Sequence, residues 1–321
     1  MKHIVGRTFT CLVGITLFSV GAVYGQNFPT RPIRIVTGGT GGVLDTTARL
    51  VAQGLPDSLG QQVIVENRAS GLIPSEIVAK GQPDGYTLLM TGSSLWIQPL
   101  LEKVSYDVER DFSPVTLAVN APNVMVLHPS VPAKSVQEFI ALAKAKPGAF
   151  NYASGQPGTS VHMAAELLKY MTGINVVRVP YKSSGAAVIG ILSGEAQLMF
   201  GTSPSVMPHV KSGKLKALAV TTAQPSQLAP GLPTMASSGL PGYVMVGAGN
   251  GIMAPPKTPA SVINLLSREI VRVLNSADVK EKLFLSGIEV IGSSPAEFAT
   301  AIKSDIKRGA AVIKFAGIAV N

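Results

Sequence analysis

Four stretches of small, hydroxyl-bearing residues stand between a candidate strand and a candidate helix, at 37–45, 154–160, 181–185 and 201–205. In open α/β sheets ligands bind beyond the carboxyl ends of strands, where helix starts offer unpaired N–H groups and the positive end of a dipole. Residues without bulk let a ligand reach the backbone. The candidate contacts are Thr40, Gly41, Gly42 and Asp45 in the first stretch, and Ser154, Gly155, Gly158, Thr159 and Ser160 in the second, with His162 just beyond. Tyr181, Lys182 and Ser183 follow in the third, Thr202 and Ser203 in the fourth, and Ser93, after a strand expected at 87–90, is a further contact. Converging in one cleft, such loops make a hydrogen-bonding pocket for a small anion. Lys182 is the one cation among them, so most of the recognition would fall to backbone donors. Each loop taken singly is also ordinary capping and turn chemistry.

Other chemistries find little support. The run Gly38-Gly39-Thr40-Gly41-Gly42 does not spell G-x-G-x-x-G, because Leu44 takes the third glycine's place, and it lacks the lysine of a phosphate loop. His128, His162 and His209 are scattered and form no H-x-x-x-H pair, so neither a metal nor any other cofactor is expected. No G-x-S-x-G elbow occurs. A secreted serine hydrolase using Ser160 and His162 is the alternative from a different class, although residues two apart point to different faces of a helix.

The elements that must position these loops follow from composition and periodicity. The chain has 321 residues, 46% hydrophobic and 14% charged, with one cysteine and a net charge of +9. That is enough for two lobes with cores, and too apolar for a disordered polyelectrolyte. No basic run is longer than Lys307-Arg308, so nucleic acid is not an expected partner. Residues 1–25 read as an export signal: Lys2 and Arg7, an apolar stretch from Cys11 to Val23, and small residues before a cut near Gly25. The apolar stretch is too short to span a bilayer. Removal takes away the only cysteine and lowers the net charge by two, and the mature protein is expected in the periplasm.

Short Val- and Ile-rich runs alternate with helical patterns, which predicts an α/β protein with mostly parallel sheets flanked by helices. Strands are expected at 33–37, 62–65, 87–90, 124–128, 151–153, 176–180, 196–200, 217–221 and 251–254. Helices are expected at 45–55, 135–146, 162–171, 186–192, 205–211, 259–275 and 295–316, the last opened by the capping box Ser294 to Glu297. Pro- and Gly-rich passages at 120–123 and 230–251 are the expected crossings between lobes, giving a first lobe from 26–121 and 251–321 and a second from 122–250.

The residues also carry a resemblance. Asn27 to Val36, then Gly41-Gly42-Val43-Leu44-Asp45-Thr46-Thr47-Ala48-Arg49, is similar to the opening of the Bug family of periplasmic solute receptors, the TctC-like receptors of tripartite tricarboxylate transporters. Asn67-Arg68 with Gly71, Lys80 to Leu88, Asp111 to Val115, Tyr152 to His162, Val179 to Ser184, Leu232 to Met235, Gly239 to Tyr243 and Ala254 to Pro259 continue it in order. The resemblance implies a two-lobed Venus-flytrap protein, monomeric and not an enzyme. It would close on a small carboxylated ligand and deliver it to membrane permease subunits, or feed a sensor kinase. It implies that the first loop and the loop before His162 hold carboxylate through backbone N–H groups and water. The chain departs from the family pattern at Gly38 and Thr40, where an aromatic and a proline are usual, at Gln197 in place of Asp, and at 246–249, where a Trp is usual.

Overall fold

The computed structural model describes residues 28–68, 72–243, 245 and 249–316, with the side chains of 315 and 316 excepted. The expected export signal, Gly71 and residues 246–248 lie outside the described residues. No helix among the described residues is long and apolar enough to cross a membrane.

Two sheets form. The first holds β1 (Ile33–Thr37), β2 (Val63–Asn67), β3 (Thr87–Thr91), β4 (Ser113–Asn120), β10 (Gly249–Ala254) and β11 (Glu289–Val290), in the order β11-β4-β10-β3-β1-β2. The second holds β5 (Asn123–Leu127), β6 (Asn151–Ser154), β7 (Val177–Pro180), β8 (Leu198–Thr202) and β9 (Lys216–Val220), in the order β7-β6-β8-β5-β9. Four of six strands in the first sheet and four of five in the second run one way, and β10, β11 and β5 run against them. The sheets are therefore mixed. Only the βαβ units give parallel pairs; β5 and β10, entered straight from the other sheet, arrive reversed, and β11 keeps the direction of β10 after the two helices between them.

The chain passes between sheets at Ala121-Pro122 and returns before β10. The strands expected at 33–37 and 87–90 are found there, the second one residue longer, and most others shift by one or two residues. β4 was not expected, nor were β11 and the helices Leu72–Ala79 and Ala277–Leu285.

Each sheet is covered by helices whose apolar stripe faces it. Helix Val43–Gly54 buries Ala48 and Val51, and helix Ala260–Leu274 buries Leu266, Ile270 and Leu274 in the same core. Helix Pro295–Ala316 opens on the expected capping box: Ser294 N donates to Glu297 Oε2 at 2.8 Å and Glu297 N to Ser294 Oγ at 3.2 Å. It packs on β4 and also on helix Ser160–Thr172 beside the second sheet. Phe298 meets Trp96 edge to face, and Trp96 Nε1 donates to Asp305 Oδ2 at 3.2 Å. One apolar cluster consequently runs through both sheets' helices, from Trp96 and Phe298 to Met163, Leu167, Val312 and Ile313.

Candidate functional site

A cavity of about 590 Å³ lies between the two sheets, at the carboxyl ends of β1, β3 and β8. The first sheet contributes the loop from Gly38 through Leu44, less Thr40, together with Gly92 to Ser94 and Asn250. The second contributes Thr159 to Val161, Ser184, Gly185 and Thr202 to Ser205, less Ser203. Four helices of nine or more residues start in this wall: Val43–Gly54, Ser160–Thr172, Ser184–Leu192 and Ser203–Lys211. The first N–H groups of each have no partner within the helix and add to a positive dipole end, although in the last of them Pro204 has no N–H and Ser203 N donates to Pro122 O at 2.8 Å. None of the lining residues carries a charge and none is aromatic.

Of the residues singled out in the sequence, Gly41, Gly42, Ser93, Thr159, Ser160 and Thr202 line the cavity. The others stand behind or beside the wall, and most have an evident mechanical task. Asp45 is buried; its Oδ2 accepts from Gly41 N at 3.0 Å, and its Oδ1 from Asn67 Nδ2 at 2.8 Å and Arg49 Nε at 3.0 Å. Asn67 Nδ2 also donates to Gly38 O at 2.9 Å, so the glycine loop containing Thr40 is held from below. Burial raises the Asp45 pKa, but the hydrogen bonds from Arg49, Gly41 and Asn67 outweigh it and keep the carboxyl below its usual range.

In the second sheet, Thr159 caps its helix by accepting from His162 N, and Gly158 N donates to His162 Nδ1 at 3.2 Å. Burial, with the charges of Arg178 and Lys169, pushes the His162 pKa down to about 3, so the ring is neutral, with its proton on Nε2. With Nδ1 occupied by Gly158, His162 is not placed as a base for Ser160. Gly158 has φ +74°, and a Cβ there would meet Gln98 N at 3.0 Å and Ile97 at 3.3 Å; its carbonyl accepts from Ser93 Oγ at 3.2 Å. The loop thus rests on the first lobe's Ser93–Gln98 segment. Arg178 went unnoticed in the sequence because a lone arginine on a strand carries no signal. It donates to Ser154 Oγ at 2.8 Å and Gly155 O at 3.0 Å, and fixes where that loop leaves β6.

Ser183 caps helix Ser184–Leu192, accepting from Ala186 N at 3.2 Å, and Ser203 Oγ donates to Leu228 O at 3.0 Å. Tyr181 donates to Glu195 at 2.7 Å and packs over Gly190, away from the cavity; burial and Glu195 push its pKa up to about 12. Lys182 is exposed and outside the wall. Gln197 ties strands together, accepting from Asn151 N at 2.9 Å and donating to Gly194 O at 2.8 Å, and does not line the cavity. The residues that sequence reasoning missed in the wall are chiefly Gly92, Ser94, Asn250, Ser286 and Ile288, which stand outside the four loops.

Known proteins share this architecture. A family profile described as "Tripartite tricarboxylate transporter family receptor" (TctC) matches residues 47–318. Protein BugT of Bordetella pertussis is 35% identical over 315 residues, covering 95% of this chain and 96% of BugT. The solved structure of R. palustris Rpa4515 with adipate has a TM-score of 0.83 at 32% identity, covering 92% of this chain and 100% of that one. MatC from Rhodopseudomonas palustris with bound malate gives 0.78 at 28% identity, covering 89% and 100%. The two-lobed α/β fold, the cleft built from helix starts and these likenesses together place the chain in the TctC family of Bug-type solute-binding receptors, which are not enzymes.

Proposed function

We propose that this protein is exported to the periplasm, holds a small organic carboxylate in the cleft between its lobes, and hands it as a monomer to the permease subunits of a tripartite tricarboxylate-type transporter. The observation that carries the reading is the uncharged cavity wall built from the starts of four helices. Unpaired N–H groups and aligned peptide dipoles hold an anion without a fixed counter-charge. A neutral wall also lets the ligand leave again, as delivery requires. The adipate and malate in the two related structures are carboxylates of fitting size. The proposed lobes are 26–121 with 251–321, and 122–250; support comes from the chain passage at Ala121-Pro122 and the return into β10. Gly41, Gly42, Ser93, Thr159, Ser160 and Thr202 are the proposed contacts, with Asp45, Ser154, Gly155, Gly158, His162 and Ser183 positioning the loops that carry them.

Thermal melting of protein recovered from the periplasm, against mono-, di- and tricarboxylates, amino acids and neutral solutes, tests the binding. A ligand at 100 times its dissociation constant stabilises the fold by about 2.7 kcal/mol. Stabilisation by neutral solutes alone, with every carboxylate silent, overturns the reading. Intact mass tests export: the expected species starts at Gln26, and one retaining residues 1–25 in the membrane contradicts it.

A further inference from the structure

The cavity wall says more about the ligand than that it is an anion. Nine of its residues carry a hydroxyl and one, Asn250, an amide. Five of those hydroxyls are already bonded within the protein. Thr46, Ser94, Ser160, Ser184 and the Asn250 amide make no side-chain hydrogen bond among the described residues. Thr46, Ser94 and Asn250 come from the first sheet's side of the cleft and Ser160 and Ser184 from the second's, so both walls offer such groups.

Asn250 is the most informative of them. It lies on β10, where the chain re-enters the first sheet, and its side chain presses on Gly92: a Cβ at Gly92 would come within 2.8 Å of Asn250 Oδ1. Glycine at 92 therefore leaves the amide room beside the cavity and places no side chain over it. An unpaired amide and four unpaired hydroxyls form a poor lining for a polymethylene chain, which would displace their water and return nothing. Against a ligand hydroxyl, each can donate or accept.

We propose that the ligand is a carboxylic acid carrying several hydroxyl groups along its carbon chain, of the aldonic or aldaric type, and that Asn250 sets the preference for it over the unsubstituted acid. The proposal rests on the carboxylate-receptor reading and narrows it. The cavity's size, about 590 Å³, admits a six-carbon acid with its hydroxyls. The helix starts hold the carboxylate, and the side-chain hydroxyls and Asn250 read the carbons between.

Calorimetric titration with acids of one carbon count tests this: adipate, which has none of the hydroxyls, against galactarate, glucarate and gluconate. The best hydroxylated acid is expected to bind at least about tenfold more tightly than adipate, because a site built to pair hydroxyls rejects the analogue without them. Asn250→Leu should shrink that ratio to below about threefold by weakening the hydroxylated acid while adipate, freed of an unpaired amide beside its methylenes, binds no more weakly than before; Asn250→Ser should retain part of the ratio. Should Asn250→Leu not melt cooperatively, Asn250→Ser and Ser184→Ala carry the same comparison. Adipate binding as tightly as every hydroxylated acid overturns the inference and leaves the receptor reading intact. Equal weakening of both kinds of acid by Asn250→Leu overturns the assignment to Asn250. If the broader carboxylate panel is silent as well, both readings fall together.

Discussion

Proton uptake by His162 should favour the unfolded chain as the pH falls, and the effect can be isolated. The ring is 2% exposed and accepts the Gly158 N–H on Nδ1, so a proton there would remove the acceptor and bury a charge facing Arg178 and Lys169. Its pKa falls from 6.5 in the unfolded chain to about 3 in the folded one. Because the folded value is the lower, the unfolded chain binds the extra proton between these limits. The stabilisation is complete above about pH 6.5 and drains away as pH falls toward 3. Linkage gives a loss of about 2 kcal/mol between pH 7.5 and pH 5, a drop of several degrees in melting temperature for a chain of this size. In His162→Asn the amide oxygen can still accept from Gly158, and this part of the pH dependence should vanish. His128 and His209 are common to both proteins and cancel. Thermal melts of the two at half-unit steps from pH 7.5 to 5 measure the difference. Superimposable profiles would mean that His162 titrates alike in both states and does not pin the loop as a neutral ring.

Three substitutions probe the cleft by the same calorimetric and melting assays. Gly158→Val should cost at least about 1–2 kcal/mol of stability from the left-handed backbone alone, and weaken binding by wedging the loop off Gln98 and Ile97; unchanged melting and affinity would contradict the geometry. Lys182→Ala should leave affinity within about twofold, since the ammonium is outside the wall; lost binding with an intact fold would point to a direct ion pair. Arg178→Ala removes two charge-assisted hydrogen bonds, each worth about 1.5–3 kcal/mol, and should lower both stability and affinity although Arg178 is outside the wall. Unaltered affinity would separate the loop's position from binding.

What could be read in the sequence was local. The strand at 33–37 and the four loops before helix starts announce themselves through Val and Ile runs followed by Gly, Ser and Thr, and six of the candidate contacts do line the cavity. β4 was hidden because it opens on Ser113-Pro114 and proline argues against an inner strand. It is nonetheless an inner strand, with register shifts in its pairing to β10, one of them beside Pro114. Helix Leu72–Ala79 was masked in the same way by Pro74. Asn250 and Gly92 could not be found locally at all, since neither lies in a loop of the expected kind and they meet only because β10 pairs with β3. Arg178 and Asn67, which hold two of the loops, act from strands other than those that lead into them.

Helix Pro295–Ala316 changes what kind of joint links the two lobes. Two crossing stretches of chain alone make a strap that can bend and also twist. The long helix adds a brace, rooted on β4 and Trp96 at one end and bearing on helix Ser160–Thr172 at the other. The helix buries Val312 and Ile313 almost completely, in the apolar cluster that also holds Met163 and Leu167 of helix Ser160–Thr172, and baring such side chains costs about 1.5–3 kcal/mol each. Rolling about the brace keeps that contact, whereas pulling straight apart or twisting breaks it. Of the many rigid-body displacements open to a pair of strapped bodies, the brace leaves one inexpensive: a swing like that of a door on its post, with the mouth of the cleft at the free edge.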